Sequence, residues 1–569
     1  MDVIRTPEGA QQVGPGGEQR PRSNGSGRAG GIRGNGTWVL ITVGLAVAMV
    51  GLDGTIVAVA NPYIAKGLHC NLSDLQWVAN AYLLALAVLL VPMGKVGDRY
   101  GRRLLMLIGT AGFALSSLGV GLVGSIGGVI AFRAVLGVFG AMLMPNTLAV
   151  VRSTFPKERL NFAVAVWGAA AAVSVAAGPV VAGLLVQHAS WQWCFYINLP
   201  IGAVTVLLGL FTLAESRDTH HRHHVDILGL LLVAGGLFCV VFGLVKADTW
   251  GWGDAKTIGF LCGGLVLLVA FGLAELKAVA PLVPMHLFGS RRISFGCVAT
   301  VLVFFSLFGV LFFISLYLQN VHGYDPVATG LRVLPISGAF VFSCPLGGYL
   351  NERFGPRVAV PFGMFFISLG LAALLWLDPA SSFLHIWVPF VVLGFGIGPV
   401  VVSASSAIVS SAPVDDAAIA GSLQSTSLQI GGVLGTSVLG SVLTTRLGHV
   451  LFAKLTASGV PAAVATELQQ AKQLIAQGVA PTVPGAPAPL QHAIVTGSQA
   501  AFMSGLHVAI LVAAIASFVA VPVGLLMNDR PDWAGDPAEA AEAKTAPTIE
   551  MKAAALQTPC SRGAAEEAM

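Results

Sequence analysis

Hydrophobic residues in this chain come in long unbroken runs, not in the alternating or one-faced patterns of water-soluble elements. Runs near 38–62, 75–96, 104–123, 126–151, 162–186 and 195–214 come first. Each has about the 20 residues that an α-helix needs to cross a hydrocarbon core of about 30 Å. A polar stretch carrying His220, His221, Arg222, His223 and His224 interrupts the series. Two runs near 227–246 and 257–275 follow, then six near 294–318, 327–350, 358–377, 384–410, 417–443 and 501–527. The pattern predicts an all-α integral membrane protein with about fourteen spanning helices in the order six, two and six. Residues 1–36 and 528–569 read as disordered tails. Between them lie a first six-helix half (37–214), a linker with two extra helices (215–290) and a second half (291–527). The second half holds a long loop, 444–500, with an Ala/Gln-rich helix near 461–478 and a Pro-rich turn region at 481–489. This loop reads as a surface cap without catalytic residues.

Charge orients the bundle. Seven basic residues fall on one side: Lys66, Lys246, Lys256, Arg332, Arg446, Lys454 and Lys472. About two dozen fall in the tails and in the loops after even-numbered helices, so the positive-inside rule predicts that both termini are cytoplasmic. An even helix count requires the same. The one such loop without a Lys or Arg is around Pro413, where Asp415 and Asp416 stand. Composition agrees: 55% of the 569 residues are hydrophobic and 10% charged, against roughly 25% charged in a globular domain. A net charge of +4 points to no nucleic-acid partner. The seven cysteines form no CxxC pair and have no histidine at metal spacing. The histidine cluster fits a metal or pH-sensing role or a solvated linker. Residues 1–36 lack the short apolar core of a cleavable signal peptide.

Between the second and third runs lies GKVGDRYGRRLL, Gly94 to Leu105, where one acid, Asp98, sits among Lys95, Arg99, Arg102 and Arg103. Gly97 and Gly101 permit a sharp turn. GYLNERFGPR, Gly348 to Arg357, repeats it with Glu352 for Asp98 and Arg353 for Arg99. Two copies far apart in one apolar chain imply homologous halves. Within the spans, charge is rare and costs roughly 2.5–3.5 kcal/mol at mid-membrane. Asp53 in the first span and Arg133 in the fourth are the clear cases. At a rise of about 1.5 Å per residue, Asp53 lies about 24 Å from one face and Arg133 about 10 Å from the other. The two depths match to within a few ångströms, so the pair can meet. Burial and a neighbouring cation act oppositely on a carboxyl group's hold on its proton. Such a pair can therefore pass a proton from one side to the other, or simply fix helix packing.

The first motif resembles the loop signature between helices 2 and 3 of the major facilitator superfamily. Further stretches resemble its fourteen-helix drug:proton antiporter family: LDGTIVAVANP (Leu52 to Pro62), LQWVANAYLL (Leu75 to Leu84), RAVLGVFGAMLMP (Arg133 to Pro145), WQWCFYINLPIG (Trp191 to Gly202) and YLQNVHGYDPVATGLRVLP (Tyr317 to Pro335). The likeness covers roughly residues 37–530. It implies a fold of two six-helix bundles plus two linker helices, with Asp53 and Arg133 as proton-coupling residues. It also implies a cytoplasmic gate built from Gly94, Asp98, Arg99, Gly101 and Arg102 and their counterparts Gly348, Glu352 and Arg353. SVAAGPVVAG, Ser174 to Gly183, resembles the exporters' Gly-Pro motif, which makes Gly178 and Pro179 a hinge, although a proline kink for packing explains the same residues. Departures are Leu136 for a glutamine, Gln192 for an arginine, Asn61 for a leucine, and Ser174 and Ala182 for glycines. In the second half Phe390 aligns with Arg133, so coupling is expected in the first half alone.

For the solute, Gln76, Trp77, Tyr82, Asn146 and Gln424 offer aromatic and amide side chains, as do Phe304, Phe305 and Phe308. Gln429 can hydrogen-bond a solute or bridge helices. The expected function is proton-coupled export of drug-like or antibiotic-like amphiphilic molecules by alternating access. Its rivals are a dedicated exporter of one metabolite and a non-transporting receptor. The expected partners are amphiphilic or cationic solutes and membrane lipids, with protons as coupling ion, no cofactor or metal, and a monomeric chain in the cell membrane. Enzyme chemistry is not expected, because the spans hold no His/Glu ligand cluster or nucleophile–base pair and the chain has no GxxxxGK[ST] phosphate loop.

Overall fold

The computed structural model describes residues 34–216, 226–278, 281–413 and 416–527. Nearly all of both tails, the cluster His220–His224 and Asp415 lie outside the described residues. Among the described residues all regular structure is helical, and fourteen helices are long and apolar enough to cross a membrane. The first six are α1 (Gly36–Leu68), α2 (Leu72–Tyr100), α3 (Arg102–Leu122), α4 (Ile126–Thr154), α5 (Phe162–His188) and α6 (Trp193–Thr212). Then come α7 (Ile227–Ala247) and α8 (Ala255–Glu275). The last six are α9 (Arg291–Val321), α10 (Pro326–Phe354), α11 (Pro356–Trp376), α12 (Phe383–Ser410), α13 (Ile419–Ala457) and α14 (Ala488–Leu525).

Helix starts are set by short polar side chains that satisfy the first free N–H groups. Asn71 and Asp74 form a reciprocal capping box at α2, with bonds of 3.0 and 3.1 Å. Asp226, Asp254 and Asp325 cap α7, α8 and α10 in the same way. The two copies of the basic motif make the same break: Gly101 (φ 126°) ends α2 and Gly355 (φ 75°) ends α10. Positive φ strains any residue with a Cβ, so glycine is required at both turns.

Packing repeats as the motif does. In the first half α1 lies against α5 and α6, α2 against α4, and α3 against α4 and α6. In the second half α9 lies against α13 and α14, α10 against α12, and α11 against α12 and α14. The halves meet in two matching crossings, α2 on α13 and α5 on α10. Lipid removes the hydrophobic drive between helices, so close backbone contact must hold them. Gly183 lies against the backbone of Pro326, and Gly330 against that of Pro179, so α5 and α10 touch where any side chain would intrude. Helices α7 and α8 pair with each other, and α7 also lies on α2 and α13. Leu265, Val266, Val269 and Leu273 of α8 are exposed, an apolar face that suits lipid.

The segment 444–500 differs from the expected loop. Helix α13 runs on to Ala457 and α14 begins at Ala488, leaving only short helices at Ala462–Leu468 and Lys472–Ile475 between them. The reason is a stripe at helical spacing: Leu443, Leu447, Leu451 and Leu455 are all buried, and Leu455 meets Gly497 of α14. Arg446, His449 and Lys454 are exposed on the other faces of the lengthened α13, and residues 458–487 still connect the two long helices.

Candidate functional site

We call the end bearing the α2–α3 turn the basic end, and the opposite one the far end. Between them, α1 and α4 bring Asp53 and Arg133 into contact, as their matching depths predict. Arg133 Nη1 donates to Asp53 Oδ2, and Arg133 Nε donates to the carbonyl of Val78 at 2.9 Å. Both side chains are fully buried, at 0% and 1% exposure. The guanidinium also lies over Tyr82, 4.4 Å from its ring centroid, and 5.8 Å from that of Phe195. Planarity lets one arginine serve the carboxylate, a carbonyl and an aromatic face together. Asp53 Oδ1 accepts no hydrogen bond from any described residue. The pair is thus held at one carboxylate oxygen and unoccupied at the other.

Polar side chains knit the halves together from this level to the far end. Gln76 Nε2 donates to the Thr436 carbonyl at 2.7 Å, Asn80 Nδ2 to Ser437 Oγ at 2.9 Å, and Thr436 Oγ1 to Asn80 Oδ1 at 2.6 Å. Gln319 Nε2 reaches the Val59 carbonyl at 3.1 Å, and Val327 N donates to Gln187 Oε1 at 3.2 Å. Gln477, just after the second short helix, accepts from Asn320 Nδ2 at its carbonyl (2.7 Å) and donates from Nε2 to the Cys70 carbonyl at 3.3 Å. The segment thus bridges α9 to the α1–α2 turn. Nearby His322 bonds the Tyr317 hydroxyl at 2.8 Å and stacks on Tyr324, whose ring carries Arg332. Burial, with the Arg332 charge adding, holds His322 below its ordinary value of 6.5.

Toward the basic end the halves part around a cavity of about 180 Å³. Asp98, Asn146, Arg152 and Trp167 line it from the first half, and Gly421 and Ser422 from α13. A smaller cavity of about 30 Å³ lies at the level of the ion pair, between α1, α2 and α4 on one side and α9 and α13 on the other. Arg133 and Tyr82 are on its wall. Between the halves, hydrogen bonds thus gather toward the far end and the larger cavity lies toward the basic end.

The residues singled out from the sequence fall into distinct places. Asp98 accepts from Arg102 Nε at 2.7 Å across the α2–α3 turn, within the first half. Gly94 packs on Pro145, Gly101 lies against Glu215, and the Arg99 guanidinium is over Tyr100. The backbone N–H of Arg103 donates to Glu215 Oε1 at 3.2 Å, which docks this turn on the chain leaving α6. In the second copy Gly348 faces open space, Glu352 and Arg353 are exposed, and no ion pair joins them among the described residues. Gly178 receives Thr55, whose hydroxyl donates to the Val175 carbonyl at 3.2 Å, and Pro179 stands at the α5–α10 crossing. Asn146 lines the larger cavity while donating to the Met142 carbonyl at 2.7 Å. Trp77 points away from both cavities, onto Phe238 and Phe242 of α7. Gln429 is buried with Oε1 unpartnered, Gln424 is half-buried, and neither lines a cavity. Phe308 lines the smaller cavity, and Phe304 packs against Phe308, 5.9 Å between centroids.

Sequence reasoning missed Asn61, Asn80 and Gln319, all buried amides at the seam between the halves. The available signal was an uncharged amide inside an apolar run, the same one that marks Gln76 and Asn146.

Two helical halves of matching topology, joined at one end and parted at the other beside a buried acid–base pair, define the architecture of a two-half membrane transporter. The chain belongs to the Major Facilitator Superfamily, whose sequence pattern matches residues 43–436. It is 41% identical over 502 residues to the tetracenomycin C resistance and export protein of Streptomyces glaucescens, covering 87% of this chain and 92% of that one. It is 34% identical to a puromycin resistance protein of Streptomyces alboniger (72% and 82% covered) and 31% identical to a multidrug efflux pump of Mycolicibacterium smegmatis (85% and 95%). Among solved structures, a bacterial homologue of the lysosomal transporter Spinster matches with a TM-score of 0.58. That match has 16% identity and covers 86% of this chain and 98% of the other.

Proposed function

We propose that this protein is a proton-coupled exporter of drug-like or antibiotic-like amphiphilic molecules, working by alternating access between its two halves. The observation that carries the reading is the buried Asp53–Arg133 pair, set between a far end where hydrogen bonds join the halves and a basic end where a cavity lies between them. With the basic end cytoplasmic, as the positive-inside rule requires, solute enters through the larger cavity while Asp53 is ionised and paired. When the seams at α2–α13 and α5–α10 open outward, water from outside reaches Asp53 and Oδ1 takes a proton. The neutral carboxyl no longer opposes Arg133 or attracts a cation, so proton entry is coupled to solute release. Return to the closed-outside form brings the acid back beside Arg133, and the proton leaves to the cytoplasm. The proton is the sole coupling species in this scheme, and one chain suffices for it. Gly178 and Pro179 serve as the pivot at the α5–α10 crossing, and the Asp98 turn as the cytoplasmic gate.

A second reading, export of a single dedicated antibiotic, is favoured by the 41% likeness to a protein named for one antibiotic. One experiment tests both. Everted vesicles energised to an acid interior are challenged with lipophilic cations and antibiotics, with Asp53→Asn alongside. Several solutes should release protons from the wild type and none from the variant; a single active solute would select the dedicated exporter. If no solute moves protons although the protein is present and folded, the proposal fails.

A further inference from the structure

Asn61 is one residue before the proline in α1, on the same helix face as Gly54 and Ala58. It is 0% exposed, and neither its Oδ1 nor its Nδ2 has a hydrogen-bond partner among the described residues. Buried amides are ordinarily paired, because an unmade hydrogen bond costs more than a made one returns. Asn80 and Gln319, the other amides at this seam, each donate at least one such bond. Asn61 instead lines the smaller cavity, opposite Phe308, Leu311 and Phe312 of α9. The wall there carries Asn61, Tyr82 and Arg133 on one side and Phe308, Leu311, Phe312 and Thr436 on the other. Its one charged member is Arg133, and no carboxylate is part of it.

We infer that Asn61 is the polar anchor of a solute subsite for neutral, flat aromatic molecules that carry a hydroxyl beside a carbonyl. A carboxamide presents a donor and an acceptor side by side, which matches that edge; the phenyl rings match the faces. Arg133 is already ion-paired with Asp53, which is not part of this wall, so the subsite offers a permanent cation no carboxylate of its own. In the present conformation the cavity has room for little more than a water molecule. Leu83 and Phe308 close on Gly432 between it and the larger cavity. From Leu83 to Leu90 along α2 is about 10 Å, so a solute entering from the basic end reaches Asn61 once Phe308 swings aside. The inference rests on the export reading for its biological use but not for its binding chemistry.

The test therefore has two readouts. Binding of a dihydroxyanthraquinone and of tetraphenylphosphonium to the detergent-purified full chain is measured by equilibrium dialysis, and proton release in everted vesicles is measured over a range of each. Asn61→Leu should weaken dihydroxyanthraquinone binding about tenfold or more, the loss of one to two well-placed hydrogen bonds, and leave tetraphenylphosphonium within about twofold. Asn61→Gln should recover part of the loss, and half-maximal proton release should move to higher dihydroxyanthraquinone concentration in step with the weaker binding. Equal weakening of both solutes, no weakening of either, or no binding by the wild type would overturn the inference. Selective loss of binding without any proton release would keep the subsite and sink proton-coupled export instead.

Discussion

Helices α4 and α12 match in topology, yet at the same distance from the helix start one buries Arg133 and the other Phe390. The same contrast holds between α1 and α9, where Leu52-Asp53-Gly54 faces the register of Leu307-Phe308-Gly309. The halves thus share a scaffold and differ in chemistry: an ion pair in the first, phenyl rings in the second. The gate motif divides likewise. Asp98 is paired with Arg102 in the first copy, and Glu352 stands exposed in the second. A repeated fold sets up two equal bundles that can rock against each other. In the proposed scheme a coupling ion needs a charged site only once, and a second buried pair would add desolvation cost without adding a function.

The largest effect should come from breaking the pair on one side. Arg133→Ala leaves a buried carboxylate uncompensated and should cost about 3–5 kcal/mol, read as a fall in the thermal midpoint in detergent. The double variant Asp53→Leu/Arg133→Leu should be more stable than Arg133→Ala, and a double variant that is equally unstable would mean that packing, not charge, holds the site. In the other half, Phe390→Leu removes apolar volume but strands no charge, and should cost less than Arg133→Ala. Proton release should stay as in the wild type; a loss of coupling there would end the asymmetry. For the gates, Asp98→Asn should slow solute-driven proton release several-fold. Glu352 has no ion-pair partner among the described residues, so Glu352→Gln should stay within about 0.5 kcal/mol in stability and leave the rate unchanged; equal slowing by both would make the copies equivalent.

The smallest effect concerns pH at the far end. His322 is held below its ordinary 6.5 by burial and Arg332, so below that value the unfolded chain takes up a proton before the folded one does. Stability from this site is complete above about 6.5 and declines as pH falls toward the lower folded value. His322→Gln should flatten that part of the profile, measured as thermal midpoint against pH. A profile unchanged by the substitution would free the far end from any histidine-linked response.

Much of this was legible in the residues. Fourteen runs long enough to span, the repeated Gly-turn motif and the sidedness of Lys and Arg all report on the solvent, and lipid imposes its terms on each segment separately. Asp53 and Arg133 stood out because charge is rare in such runs, and their matching depths followed from helix rise alone. The extension of α13 and α14 through 444–500 was hidden because a helix half in water no longer needs an apolar run, only the stripe Leu443, Leu447, Leu451 and Leu455. Which side chains meet across the seam was beyond any one-dimensional pattern. Trp77 and Gln76 are adjacent in sequence, yet one turns to α7 and the other bonds α13. Asn61 and Asn80 are the same residue type in two apolar helices, and only one finds partners. Hydropathy acts on each helix alone, and so the sequence determined the helices and their repeat. Pairing, orphaning and cavities depend on what a neighbouring helix presents at the point of contact, and tertiary packing alone decided those.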